Sequence, residues 1–107
     1  MRPNLAIRYF QCWANKDIAS LELLIAEDAI LLDWEGPILG RDKILDGTKL
    51  LFSHHKKIGI EIKKIAVGQD TIIAELEIRL DNMYMRVVDV IDYDENDKIK
   101  RIRAYRQ

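Results

Sequence analysis

The spacing of hydrophobic positions divides the chain into a helical first half and a second half of strands. In the first half, apolar residues recur every three to four positions, which is the period of an amphipathic helix. Asp17 is a typical N-terminal cap for the second of these helices. The pattern therefore predicts three helices, over residues 3–15, 18–26 and 41–55.

Apolar and polar residues alternate through most of the second half, which is typical of strands with one buried face. The alternation changes parity at Lys63 and Lys64, and such a change indicates a β-bulge that bends a sheet. The predicted strands cover residues 29–34, 58–67, 72–80, 83–93 and 98–106. Three helices followed by a bent antiparallel meander form an α+β arrangement, a cone that encloses an apolar cavity suited to a small ligand.

Asp89 is the one charged residue on the apolar face of the predicted strand over residues 83–93. The other members of that face are Met83, Met85, Val87, Ile91 and Tyr93. An acid at such a position must be paired, or its pKa must rise until it is neutral. A neutral carboxyl group is a candidate hydrogen-bond donor, whereas a charged one would pair with Arg101 or Arg103 across the hairpin.

Composition limits the classes of function. The chain has 107 residues, 49% of them hydrophobic and 33% charged, which predicts one domain over residues 1–107. A formal net charge of −1 favours neither nucleic acid nor an anionic membrane as partner. The single cysteine, Cys12, indicates a reducing compartment, and we expect a cytoplasmic protein. His54 and His55 point about 100° apart on a helix, so they do not predict a metal site.

Several motifs extend over nearly the whole chain. They are Tyr9-Phe10 with Trp13 and Asp17, Ala26-Glu27-Asp28-Ala29 before Asp33, Gly40-Arg41-Asp42-Lys43-Ile44, and residues 89–99 with Ala104-Tyr105. In these motifs the chain resembles the nuclear transport factor 2-like superfamily, which includes SnoaL-like polyketide cyclases and ketosteroid isomerases. The resemblance implies a cystatin-like α+β fold, a cone-shaped barrel of three helices on a strongly bent antiparallel sheet. It also implies a homodimer formed through the outer face of the sheet.

A narrower resemblance, to ketosteroid isomerases, rests on three residues. Tyr9 stands eight residues before Asp17, and Asp33 ends the first strand before a Gly-Arg turn. Asp89 lies four residues before Tyr93. The resemblance implies that Asp33 is a general base, and that Tyr9 and a protonated Asp89 donate hydrogen bonds to an enolate oxygen. Such a site transfers a proton alpha to a carbonyl group without a metal or an organic cofactor.

The predicted function is therefore a small-molecule enzyme of SnoaL-like or steroid delta-isomerase-like type acting on an apolar ligand. Its predicted cavity lining comprises Trp13, Leu31, Phe52, Met83, Met85 and Val87. The residues also allow other roles, because Tyr9 could be a core tyrosine and Asp33 could cap the turn that follows it. The alternative function is a non-catalytic ligand-binding or dimerisation module of the same fold.

Overall fold

The computed structural model describes residues 2–107, and its elements largely follow the hydrophobic pattern. In chain order they are α1 (Arg2–Ala14), α2 (Ile18–Leu24), β1 (Ile25–Asp33), β2 (Gly36–Leu39), α3 (Arg41–His54), β3 (Ile58–Val67), β4 (Thr71–Leu80), β5 (Met83–Tyr93) and β6 (Ile99–Arg106). Asp17 caps α2 as predicted, because its carboxylate accepts a hydrogen bond from the backbone N–H of Ser20 at 3.1 Å. None of the helices within residues 2–107 is both long and apolar enough to cross a membrane.

The six strands form one sheet in the order β2-β1-β6-β5-β4-β3. Neighbouring strands are antiparallel except for β1 and β6, which run parallel and make the sheet mixed. The sheet curls around the helices without closing into a barrel. The predicted fold, three helices packed on a strongly bent sheet, is confirmed.

The bend in β3 is the predicted β-bulge. The register between β3 and β4 shifts between Ile62 and Lys64, where the sequence alternation changes parity. An extra residue in one strand increases the local twist, and α1 packs against the strand that is bent in this way. The bulge therefore lets the sheet wrap around α1.

The face of the sheet that the helices cover is called the inner face here. It carries the buried Leu76 of β4, Ile91 of β5 and Ile102 of β6. From the helix side, α1 contributes buried residues that include Phe10 and Cys12, so this cysteine is part of the core. The same inner face carries the candidate site residues.

The predictions are wrong at the start of the sheet. β1 begins at Ile25 rather than at residue 29, because Ile25 pairs with Ile99 before a register break that extends to Ile30. The segment after β1, predicted as a turn alone, also contains the short strand β2. Pro37 lacks a backbone N–H, and it is tolerated in β2 because this edge strand pairs only with β1.

Candidate functional site

Asp89 lies at the middle of the inner face between two alanines. Its cross-strand neighbours are Ala74 on β4 and Ala104 on β6. Methyl side chains on both sides leave space next to the carboxyl group, which larger cross-strand neighbours would fill. Asp89 is nevertheless only 8% exposed, so its carboxyl group is almost entirely removed from water.

Burial controls the charge of Asp89. It raises the pKa of the carboxyl group to about 7, and no hydrogen bond or charge within residues 2–107 contributes to the shift. A carboxyl group with this pKa is protonated in a large fraction of molecules at neutral pH, and its O–H is then a donor. Asp89 thus lies on the apolar face of β5, as the alternation of the sequence predicts. Its catalytic role stays a prediction.

Tyr9 of α1 is buried in the core, close enough to Asp89 for the charge of that carboxyl group to act on it. Burial is the main reason that the pKa of Tyr9 is raised, and the charge of Asp89 raises it further, which means that the two side chains lie near each other. The phenol therefore keeps its proton at any physiological pH. Its oxygen accepts a hydrogen bond from the indole N–H of Trp13 at 3.1 Å.

Most of the predicted lining residues lie around this pair, and one lies apart. Phe52 of α3 packs edge-to-face against Trp13 with ring centroids 5.1 Å apart. Met85 and Val87 precede Asp89 on the same face of β5 and are buried, and Leu31 of β1 is half-buried. Met83 is 43% exposed at the start of β5. It is about 20 Å along the strand from Asp89 and is not part of this cluster.

Asp33 ends β1 and is half-buried. One of its carboxylate oxygens accepts a hydrogen bond from the backbone N–H of Glu35 at 2.8 Å, which is the turn-capping role that the sequence allows. Leu32 pairs with Arg103, so the next position of β1 lies beside Ala104. Asp33 on β1 and Asp89 on β5 therefore lie on either side of Ala104 on β6. Two strand spacings separate them, which puts their Cα atoms about 10 Å apart.

Asp92, which the sequence did not single out, binds the arginines that could have paired with Asp89. Its carboxylate accepts hydrogen bonds from Arg101 at 2.8 Å, Arg103 at 3.3 Å and the Thr71 hydroxyl at 2.6 Å. Burial alone would raise the pKa of Asp92, but these donors outweigh burial and the pKa is lowered. Asp92 has the strand parity opposite to that of Asp89, so the arginines lie on the outer face and leave Asp89 unpaired.

Tyr93 is a second polar group on the inner face that the site prediction omitted. Its hydroxyl is buried and has no hydrogen-bond partner within residues 2–107, and burial raises its pKa to about 12. The guanidinium of Arg2 lies 5.8 Å from the centre of its ring. The one sequence signal for this buried hydroxyl is the position of Tyr93 as the last residue of an apolar strand.

The surface formed by residues 2–107 includes two depressions. One, of about 570 Å³, is bordered by charged residues such as Glu77 and Arg86 and by apolar residues such as Leu76 and Val88. The other, of about 410 Å³, lies between α2, the start of β1 and the turn before β6. Of the predicted site residues, Val87 alone borders either depression. Within residues 2–107, no three side chains of His, Cys, Asp or Glu are grouped so that they could hold a metal ion.

A comparison with models of protein families identifies the family of this chain. Residues 6–102 match the SnoaL-like domain. The chain belongs to the SnoaL-like family. This confirms the superfamily that the motifs indicate. A comparison with curated proteins gives no match.

Solved structures share the fold of this SnoaL-like protein at low sequence identity. A nuclear transport factor 2-like protein of unknown function from Cytophaga hutchinsonii has a TM-score of 0.88 and 8% identity, and the match covers 100% of this chain and 90% of that one. A putative ketosteroid isomerase from Kribbella flavida has a TM-score of 0.87 and 14% identity, with 99% and 77% covered. An epoxide hydrolase from M. tuberculosis has a TM-score of 0.82 and 13% identity, with 97% and 80% covered.

Proposed function

We propose that this protein is a small-molecule enzyme that transfers a proton alpha to a carbonyl group in an apolar pocket. The observation that carries the proposal is Asp89, a buried carboxyl group beside Tyr9 whose pKa is raised to about 7 by burial alone. A group of this kind serves as a hydrogen-bond donor where most carboxyl groups serve as acceptors. The ligand is an apolar ketone or a related carbonyl compound.

The two donors would act on the carbonyl oxygen. When a base removes the alpha proton, negative charge develops on that oxygen, and preorganised donors stabilise it in a site that excludes water. Tyr9 keeps its hydroxyl proton because burial raises its pKa, and it would donate one hydrogen bond. The protonated form of Asp89 would donate the second. In this mechanism α1 and β5 would hold both groups before the ligand binds, so little reorganisation would accompany the reaction.

Asp33 is the proposed base. Only one of its oxygens is engaged in the turn to Glu35, and the other accepts no hydrogen bond from residues 2–107. The carboxylate would take the proton from the alpha carbon, and the electron pair of that C–H bond would pass into the enolate. Returning the same proton to the gamma carbon completes an isomerisation. The spacing of about 10 Å between the Cα atoms of Asp33 and Asp89 leaves room for the ligand carbons.

A conversion assay tests this mechanism. Simple β,γ-unsaturated ketones are incubated with the protein, and formation of the conjugated ketone is followed by its ultraviolet absorbance. We expect Asp33→Asn to lower kcat by roughly 10²–10⁴-fold, and Tyr9→Phe to lower it by about 10²–10³-fold. Asp46→Asn, an exposed change on α3, is the matched control and should leave kcat unchanged. Conversion that survives Asp33→Asn would contradict the assignment of the base.

A non-catalytic ligand-binding module is the second candidate. It is supported by the engagement of Asp33 in its turn, and by the fact that Asp89 and Tyr9 border neither of the two depressions. Such a module would bind saturated and unsaturated ketones equally and convert neither. Calorimetric binding of both classes without any change in absorbance would favour this function over the enzyme.

We also propose that the protein forms a homodimer through the outer face of the sheet, as the family resemblance implies. This proposal is supported by exposed apolar residues on that face, Leu32, Ile73 and Tyr105. The face also carries acidic residues on β4 and basic residues on β6, namely Glu75, Glu77, Arg101 and Arg103. A two-fold axis along β5 would bring β4 of one copy opposite β6 of the other, which pairs the opposite charges.

A further inference from the structure

The hydrogen bond between Trp13 and Tyr9 fixes the direction in which Tyr9 donates. The two residues are four positions apart on α1 and therefore lie on the same side of the helix. An indole N–H is a donor only, so in the 3.1 Å contact the phenol oxygen must be the acceptor. The hydroxyl proton of Tyr9 is consequently left free to point elsewhere.

No other residue within 2–107 makes a hydrogen bond to the hydroxyl of Tyr9. Thr48 is the buried polar residue of α3, and its hydroxyl already donates to the Ile44 carbonyl at 2.8 Å. Asp89 of β5 lies near enough for its charge to act on Tyr9, but its carboxyl group makes no hydrogen bond to the phenol within residues 2–107. The hydroxyl proton of Tyr9 therefore has no acceptor within residues 2–107 and is free to bind a ligand.

Aromatic packing holds both partners of this hydrogen bond. Phe52 packs against the indole of Trp13 with an interplanar angle of 86°. Phe10 packs against Tyr9 with ring centroids 5.3 Å apart at 68°. Edge-to-face pairs of this geometry restrict rotation of the rings. The indole N–H thus keeps a fixed direction, and it imposes that direction on the phenol.

We propose that Trp13 is a positioning residue, whose indole N–H directs the Tyr9 hydroxyl toward the ligand oxygen and strengthens it as a donor. The inference rests on the proposed function, because it assigns Trp13 a part in the same site. An oxygen that accepts a hydrogen bond becomes a better donor through its own proton, since bonds in a chain polarise one another. The role differs from that of an apolar lining residue, which acts through contact area.

A double-mutant cycle separates these two roles. Substituted phenols serve as the probe, because a phenolate presents a charged oxygen on a flat ring in the manner of an enolate. Their affinity is measured at pH 7 for the unmodified protein, Trp13→Phe, Tyr9→Phe and the double variant. Phenylalanine keeps the aromatic packing against Phe52 and removes the N–H. Trp34→Phe, a change at the exposed tryptophan of the β1–β2 turn, is the matched control.

We expect Trp13→Phe to weaken phenol binding about fivefold when Tyr9 is present, which corresponds to one ordinary hydrogen bond. With Tyr9→Phe already in place, the same change should have no effect, and the control should have none in either protein. An equal loss in both proteins would show that the indole acts by contact area alone, and would overturn the inference.

The indole ¹⁵N–¹H resonance of Trp13 gives a second measurement that does not depend on any ligand. Tyr9→Phe should move this resonance upfield, because the hydrogen-bond acceptor is lost. An unmoved resonance shows that the hydrogen bond is absent and overturns the inference, whatever the phenols do. A resonance that moves in a protein that binds no phenol contradicts the proposed function, and with it the role of Trp13 toward a ligand.

Discussion

At the scale of single residues, Asp89 combines an energetic cost with a chemical capability. Transfer of an ionised carboxylate into an apolar site is unfavourable, and burial of Asp89 is the only cause of its raised pKa. The same burial supplies a protonated carboxyl group near neutral pH, which few exposed aspartates could provide. A buried, unpaired carboxyl group lowers stability, and in the proposed function this cost is offset by a hydrogen bond that the group donates to a ligand.

The pH dependence of stability should reveal this cost. The pKa of Asp89 is about 7 in the folded protein, and about 3.9 is expected when the chain is unfolded. Between these values the folded state holds more protons, so the contribution of Asp89 to stability falls as the pH rises from about 4 to 7 and then levels off. We therefore compare the free energies of unfolding of Asp89→Asn and the unmodified protein. The difference should shift in favour of Asp89→Asn by up to roughly 4 kcal/mol between pH 4 and pH 8.

Urea denaturation of both proteins across this pH range measures the effect. Asp46→Asn is the control, because it removes an exposed carboxylate of the same type from α3. A difference between Asp89→Asn and the unmodified protein that stays constant with pH would show that Asp89 titrates normally.

Alternation along β5 was sufficient to predict the face on which Asp89 lies, because side chains in a strand alternate regardless of the tertiary structure. It was not sufficient to predict the partners of the neighbouring acids. Asp92 is buried and binds Arg101 and Arg103, a pairing that the sequence pattern did not predict. The pairing depends on the register between β5 and β6, which the sequence pattern leaves undetermined.

At the scale of elements, the hairpin formed by β1 and β2 positions Asp33. Gly36 follows Asp33 in the turn with a φ of +113°, and it pairs with Asp33 across the hairpin. Side chains are strained in this region of φ, and a Cβ added at Gly36 would meet no atom within 4 Å. Any cost of a substitution there arises from the backbone alone.

Gly36→Ala should therefore destabilise the protein by about 1–2 kcal/mol and lower the conversion rate by displacing Asp33. Gly47→Ala is the matched change, because Gly47 lies inside α3 and its added Cβ would be 4.0 Å from Ile38, an ordinary contact. This second change should stabilise the protein by about 1 kcal/mol. Equal effects of the two changes on thermal unfolding would contradict the conformation assigned to the hairpin.

Long periodic elements were predictable from the sequence, and the short hairpin strand was not. Each of β3, β4 and β5 has enough alternating positions to indicate its own boundaries, and the parity change at Lys63 and Lys64 located the bulge. β2 has four residues, and two of them, Gly36 and Pro37, favour a turn. It becomes a strand only because β1 lies alongside it, which is a tertiary interaction.

At the scale of the whole molecule, the outer face of the sheet is the surface that the proposed dimer would bury. Tyr105→Glu places a charge at an exposed apolar position on this face and should convert a dimer into a monomer. Leu50→Glu is the control, since Leu50 is similarly exposed but lies on α3. Sedimentation velocity at a fixed protein concentration measures both. A monomer before any substitution, or dissociation by Leu50→Glu, would contradict the proposed interface.

The most direct test of the proposed function is an NMR titration of the Asp89 carboxyl carbon, with Asp89→Asn used to assign the resonance. Burial of Asp89 without a partner predicts a midpoint near pH 7, the value at which the group can donate a hydrogen bond to a ligand. A midpoint near 4, the ordinary value for an aspartate, would mean that the carboxyl group is hydrated or paired. The proton-transfer mechanism would then be rejected, and the binding-module function would replace it.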